Sequence, residues 1–366
     1  MCRSQQPVRS IVPVWILLAG TLLSSRPAAA QVQVSLQPWP GKAQGALSIT
    51  FDDAYPSQAA VAMPLLEAHG FRGTFYLIVD RLFQRGKYED LPSAPLADWQ
   101  AGFRRGHEMG SHTWTHVGLD TVSAAHMQEE LRAAKEALEG FFPGAPITSL
   151  AYPFSAADEG VMQEAARYYV TGRLGPPPAG EPPYNDPATA ALIGLRAFFL
   201  CTGQDPQLWN ETADHTLQDG GWLVEALHPI DEAGYCQVRE QDLAAHLDYL
   251  ANLGGQLWVA PVGQVAARLL HWRAAQLLST PLADGRVRLH LAEPANEDWQ
   301  VKLSATGSWK VVDEHGQLLP LSAAGGALSF EWPTGQASAT LEPAGITAIS
   351  VSNWGQIKEI FWARTP

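Results

Sequence analysis

Two adjacent carboxylates, Asp52 and Asp53, close an apolar run that reads Leu47-Ser48-Ile49-Thr50-Phe51. Side by side they repel one another unless a cation sits near them. An acidic turn closing a strand is the ordinary use of such a pair. A second group changes the balance. His112 and His116 are four residues apart, so a helical turn there would point both imidazoles to one side and let them reach one ion. Among 11 histidines, a chance pair at this spacing would be unsurprising. Added to a strand-end carboxylate, however, the pair supplies two nitrogens and one oxygen. Positions are left open for water and substrate, the donor pattern of a catalytic zinc-type site.

These groups need elements that bring them together. From residue 45 to 270, strand-like and helix-like runs alternate. Strands are expected at 46–51, 73–79, 108–111, 147–154, 168–173, 192–200, 222–227 and 257–260. Helices are expected at 57–69, 97–106, 123–142, 156–167 and 240–253. The helix at 123–142 has Ser123 as a cap and Met127, Leu131, Ala134 and Leu138 on one face. Such alternation implies α/β architecture, with helices covering a parallel sheet that is open or closed into a barrel. Residues 176–187 are proline-dense, read as a loop insertion, and are expected to rim the cleft. After about residue 275 the pattern becomes short in-and-out strands with Gly, Pro and Asn turns. The expected strands lie at 287–291, 301–303, 309–311, 328–332 and 347–351. That is a small antiparallel β domain over 275–366. Its Trp299, Trp309, Trp332 and Trp354 suit core packing, and a sugar-stacking platform is the alternative use.

Over residues 45–270 the chain resembles the polysaccharide deacetylases of the NodB homology type, carbohydrate esterase family 4. The resemblance rests on Thr50-Phe51-Asp52-Asp53 and His112-Thr113-Trp114-Thr115-His116. It extends to Gly73-Thr74-Phe75-Tyr76, Tyr152-Pro153-Phe154 and Leu227-His228. It implies a distorted (β/α) barrel and removal of acetyl groups from N-acetylglucosamine polymers or acetylated xylan. It further implies Asp53, His112 and His116 as ligands of a divalent metal, Asp52 as general base and His228 as general acid. The backbone N–H of Phe154 would help hold an oxyanion.

The chemistry is consistent with those roles. An amide carbonyl is a poor electrophile and water a poor nucleophile, and a divalent ion improves both. A carboxylate can take the water's proton, a fixed N–H can stabilise the oxyanion, and a histidine can protonate the leaving amine. Three positions depart from the family pattern. Ala151 stands where an Arg usually braces the base, and Arg173, at the end of the next strand, is the expected substitute, paired with Asp52 in a bidentate fork. The family's fourth motif is not recognisable; Asp205 with Trp209 is the nearest candidate, and a turn residue is the plainer use of Asp205. Ala226 replaces the usual Leu, which reshapes the acetyl pocket. Glu225, in an otherwise apolar strand, has no evident use.

Residues 1–30 read as an export signal. Arg3 and Arg9 precede an apolar run too short to span a bilayer comfortably, and Ala28-Ala29-Ala30 fits a cleavage site. Removing Arg3, Arg9 and Arg26 leaves 21 Lys and Arg against 37 Asp and Glu, a net charge of −16. That argues against nucleic acid and anionic membranes as partners and is neutral toward a glycan. Of 3 cysteines, Cys201 and Cys236 would remain in an oxidising compartment. A disulfide and two free thiols are both open, the disulfide following if the two lie on neighbouring strands and loops. An acetylated glycan is therefore the expected partner of a periplasmic or extracellular hydrolase. A non-catalytic glycan-binding protein and an O-acetyl esterase are the alternatives.

Overall fold

The computed structural model describes residues 32–292, 299–324 and 327–344. The expected export signal, the expected strand at 347–351 and Trp354 lie outside them. No helix among the described residues is long and apolar enough to cross a membrane. Strand β1 (Gln33–Leu36) belongs with the C-terminal strands. The next nine are β2 (Gly45–Asp52), β3 (Thr74–Leu77), β4 (Glu108–Ser111), β5 (Ser149–Ala151), β6 (Thr171–Arg173), β7 (Tyr184–Asn185), β8 (Phe198–Phe199), β9 (Trp222–Leu227) and β10 (Leu257–Val259).

Strands β6, β5, β4, β3, β2 and β9 lie side by side in that order, all parallel. Residues 195–199 curl the sheet round on itself. The Leu195 N–H donates to Gly172 O at 2.7 Å and the Leu174 N–H donates to Leu195 O at 2.8 Å, while β8 pairs in parallel with β9. The result is the distorted (β/α) barrel that the resemblance implied, where the alternation alone left an open and a closed sheet both possible. Strand β2 is buried at every residue, which is why it reads as a continuous apolar run rather than an alternating one. Strand β10 pairs with the first half of β2, beside the point where β3 takes over the second half.

The helices are α1 (Met63–Ala68), α2 (Val79–Leu82), α3 (Leu96–Arg104), α4 (Ala124–Phe141), α5 (Glu159–Ala165), α6 (Pro206–Asp219), α7 (Glu240–Asn252) and α8 (Val262–Ala274). In α4 the Ser123 hydroxyl caps the first turn, accepting from the His126 N–H, and Leu131, Ala134 and Leu138 are buried as their spacing predicts. Helix α6 was not anticipated. Asp205 is its N-cap, accepting from the Gln207 N–H at 3.0 Å, and Gly220 ends it at φ 70°. Trp209 is buried beneath α6, so neither residue reaches the cleft described below. The proline-rich insertion also departs from expectation. Its Tyr184–Asn185 pairs antiparallel with Leu223 and Trp222, at the opposite end of β9 from His228. That pairing carries this part of the insertion away from the cleft.

Beyond α8 the strands are antiparallel. They are β11 (Gln276–Pro281), β12 (Val287–Ala292), β13 (Trp299–Ser304), β14 (Trp309–Asp313), β15 (Leu318–Leu319), β16 (Ser322–Ala324), β17 (Ala327–Trp332) and β18 (Ser338–Pro343). One sheet runs β1-β13-β17-β16 and the other β11-β12-β18-β14-β15. Trp299 and Trp332 are buried with Leu289, Val301 and Leu341 in a shared core, so these two indoles serve packing. The barrel's last helix meets this region through Arg268, whose guanidinium lies 3.9 Å from the Trp299 ring centroid, and Trp272, whose Nε1 donates to Leu36 O.

Cys201, just after β8, is bonded to Cys236, in the loop after β9. Their separation of 35 residues makes the closed loop worth about 4 kcal/mol in the chain-entropy picture.

Candidate active site

Parallel strands in a barrel end on one face, so whatever follows their last residues converges there. Asp52 ends β2 and Asp53 follows it. His112 follows β4, Phe154 comes three residues after β5, Arg173 ends β6, and His228 follows β9. The seven residues assigned roles from the sequence, these six and His116, line one cleft of about 440 Å³.

One side-chain oxygen or nitrogen from each of Asp53, His112 and His116 lies within 4.8 Å of the others. His112 Nε2 is 3.4 Å and His116 Nε2 3.6 Å from Asp53 Oδ1. The other ring nitrogen of His112, Nδ1, lies 2.8 Å from the Ala151 carbonyl, which can only accept. That bond puts the proton on Nδ1 and leaves the Nε2 lone pair facing Asp53. Asp53 Oδ1 is buried without a partner at hydrogen-bond geometry. An orphaned carboxylate oxygen facing two imidazole nitrogens fits a divalent cation.

Burial and charge act on each of the three groups in a different way. Burial alone would raise the Asp53 carboxyl, but the imidazoles around it, His112 foremost, hold it well below the usual carboxylate range. Burial, aided by the charge of His112, pushes His116 down to about 3, so its ring is neutral across ordinary pH. Burial would also lower His112, and the charges of Asp52 and Asp53 outweigh it and raise that ring.

The His112-to-His116 segment is not helical, contrary to the expectation from its spacing. Thr113 at φ 66° and His116 at φ 58° turn the chain instead. The turn is held by a residue that sequence reading missed. Glu130, buried on α4, accepts from the N–H groups of Trp114 and Thr115 at 3.0 and 2.9 Å and from the Thr115 hydroxyl at 2.7 Å. Lys87 donates to the His116 carbonyl at 2.9 Å. Backbone strain gathers at this cleft: Asp53, Ala54, Phe154 and Ser155 also have positive φ. Non-glycine residues keep such conformations only where surrounding contacts hold them.

Asp52 sits beside this set. Arg173 Nη2 donates to Asp52 Oδ2, with the two side chains 1% and 4% exposed. The strand register explains the reach, because Arg173 is the cross-strand partner of Ala151. A single guanidinium nitrogen contacts Asp52; Nη1 donates to Leu174 O at 3.0 Å, so the expected bidentate fork is not formed. Tyr76 and Phe199 flank the guanidinium, with centroids at 5.6 and 5.8 Å. Gly110 makes room for Tyr76, since a Cβ there would lie 2.6 Å from its ring. Gln58, also missed from sequence, donates to the carbonyls of both Asp52 and His228 and so ties two loops of the cleft together.

Removing one partner of a buried ion pair leaves the other charge stranded, at about 3–5 kcal/mol. Arg173→Ala is therefore expected to lower the urea midpoint markedly in wild type and much less in an Asp52→Asn background, where no charge is stranded. Equal losses in both backgrounds would contradict the pairing.

His228 Nε2 lies 3.7 Å from Asp52 Oδ2. Burial lowers its pKa below the ordinary value, against the pull of Asp52 and Asp53. Phe199, the cross-strand partner of Ala226, stands 5.9 Å from the His228 ring, so an aromatic side chain shapes the cleft wall beside the small Ala226. Glu225, unexplained from sequence, points away from the cleft. Its Oε1 lies 2.9 Å from Nε2 of the buried His246, whose Nδ1 meets Asn210 at 2.7 Å. It serves the layer between β9 and helices α6 and α7.

Residues 41–172 match the family model described as polysaccharide deacetylase. The chain is 25% identical over 280 residues to a gellan lyase of a Bacillus species, covering 70% of this chain and 10% of that protein. It is 26% identical over 129 residues to a "probable peptidoglycan-N-acetylglucosamine deacetylase" of Arthroderma benhamiae, covering 35% of this chain and 28% of that one. The chain thus spans less than a third of either relative's length. Among solved structures it is similar to the Xyl-CE4 domain of a multidomain xylanase from the hindgut metagenome of Trinervitermes trinervoides. That match has 17% identity, covers 61% of this chain and 90% of that one, and has a TM-score of 0.42. The part of the chain that is similar to the polysaccharide deacetylase family, residues 41–172, is the part that carries Asp52, Asp53, His112, His116 and Phe154.

Proposed function

We propose that the chain is an exported, metal-dependent hydrolase that removes acetyl groups from a polysaccharide or oligosaccharide, with N-acetylglucosamine-type sugars favoured. The observation that carries this reading is the meeting of Asp53, His112 and His116 in one cleft with Asp52 and His228. Asp53, His112 and His116 would hold a divalent ion, for which two imidazoles and a carboxylate make zinc the natural choice. When bound, that ion supplies polarisation of the acetyl carbonyl and acidification of water.

The remaining work falls to the chain's own groups. Asp52 takes the proton from water at the oxygen not engaged by Arg173, because Oδ1 is buried and without a partner. Arg173 holds that carboxylate in place and stops it swinging toward the neighbouring imidazoles. The Phe154 N–H steadies the negative oxygen that develops on the acetyl carbon. His228 Nε2 hands a proton to the departing sugar amine. Export rests on residues 1–30 alone, and the C-terminal strands are proposed as an accessory β domain.

O-deacetylation is a second reading, favoured by one observation. Burial depresses His228, and an ester leaving group needs less protonation than an amine. The experiment is acetate release from chitooligosaccharides, peptidoglycan and acetylxylan. Release from the first two supports the favoured reading, release from acetylxylan alone supports the second, and none from any of the three contradicts both.

A further inference from the structure

Two large aromatic rings stand in the open at this cleft, one on each side of the titratable cluster. Phe154 is 69% exposed and Tyr235 65% exposed, and both line the same cavity. The Phe154 ring meets the His116 ring at 4.6 Å between centroids. The Tyr235 ring meets the His228 ring edge-on at 5.0 Å and 87°. Exposed aromatics of this size cost hydration free energy and mark contact surfaces.

The backbone beneath Tyr235 is over-determined for a surface loop. Ile230 bridges Val238, the Asp231 N–H donates to Val238 O at 2.9 Å, and the Val238 N–H donates to Pro229 O at 3.0 Å. The Thr202 N–H donates to Gln237 O at 2.7 Å. Gly234 lies so close to Tyr55 that a Cβ would be 2.6 Å from the hydroxyl oxygen. Cys236, at φ 49°, is tied through its disulfide to Cys201, two residues after Phe199. The residue next to the disulfide is the one whose ring is left open. A ring displayed on a rigid base loses little freedom when it binds, so its contact converts efficiently into affinity.

We propose that Tyr235 is a substrate-binding residue of this cleft, stacking on a pyranose ring of the glycan across from Phe154, and that the Cys201–Cys236 bond holds it in place. A sugar ring presents an apolar C–H face to an aromatic wall while its acetyl group enters between the two rings. Tyr235 and its disulfide are thereby what sets which sugar geometry fits. The inference deepens the deacetylase reading and rests on it for the class of ligand.

The test is calorimetric binding of triacetylchitotriose to the whole protein, with acetate release followed separately. Tyr235→Ala is expected to raise Kd about tenfold, the scale of one aromatic contact, and Tyr235→Phe to stay near wild type. Cys201→Ser is expected to weaken binding in wild type and to have little further effect in the Tyr235→Ala background. Unchanged thermal unfolding of Tyr235→Ala, whose ring lies outside the core, shows that the loss is local. The proposal is overturned if wild type fails to bind the trisaccharide or if Tyr235→Ala binds as tightly as wild type. It is also overturned if Cys201→Ser weakens binding equally in both backgrounds. Binding without acetate release would count against the deacetylase reading and leave Tyr235's role standing.

Discussion

Replacing His112 by Ala is expected to remove bound metal and acetate release together. His112 is the most constrained of the three donors. Its Nδ1 is fixed on the Ala151 carbonyl, and its Nε2 is 3.4 Å from Asp53 Oδ1. Its loss leaves one imidazole and one carboxylate, too few to hold a divalent ion in a three-ligand catalytic site. It also leaves Asp53 without its main stabilising neighbour, against a burial that favours the uncharged acid. Metal stoichiometry measured on the purified variant should fall from about one per chain toward zero, with turnover falling to background. A variant that retains metal and turnover would show that the ion is held elsewhere.

Asp52→Asn is expected to separate metal binding from chemistry. The carboxamide keeps the size and can still accept from Arg173, but it cannot take up a proton. The expected loss in kcat is about 10²–10⁴-fold, the scale of a positioned general base. Metal content should be unchanged, because Asp53 and the two histidines are untouched. The stability change has a definite sign. Neutralising one partner strands the Arg173 guanidinium in a site that is almost closed to water, so the variant should be less stable as well as slow. Near wild-type kcat in Asp52→Asn would remove Asp52 from the role of base.

The positions that were legible in the sequence are those fixed by strand ends. Asp52, Asp53, His112, Arg173 and His228 each sit at or just after a segment that reads as extended in the sequence. In a parallel barrel that is enough to place them on one face. Arg173 shows the logic most clearly: Ala151 and Arg173 are register partners, so a missing side chain on one strand can be supplied by the next. What escaped detection depends on contacts between residues far apart in sequence. The approach of His112 and His116 was expected from helical spacing, but it comes from left-handed backbone at Thr113 and His116 held by Glu130, a contact no periodicity encodes. Glu130 read as one more polar residue on an amphipathic helix.

Helix α6 was hidden because Asp205-Pro206 is equally a turn signal, and only the following residues decide that it opens a helix. Strand β7 is two residues long, too short to show any period, and it alone reveals that the proline-rich insertion crosses to the far end of β9. Tyr235 has no local pattern at all. Its placement against His228 follows from the loop closure at Ile230 and Val238 and from the disulfide.

The most direct measurement is acetate release from an N-acetylated chitooligosaccharide by the purified protein, made before chelation, after chelation and after a divalent ion is restored. Release that stops on chelation and returns with the ion, in step with metal content, is the expected result. Undiminished release from protein shown to be free of metal would contradict the assignment of Asp53, His112 and His116 as the centre of the chemistry.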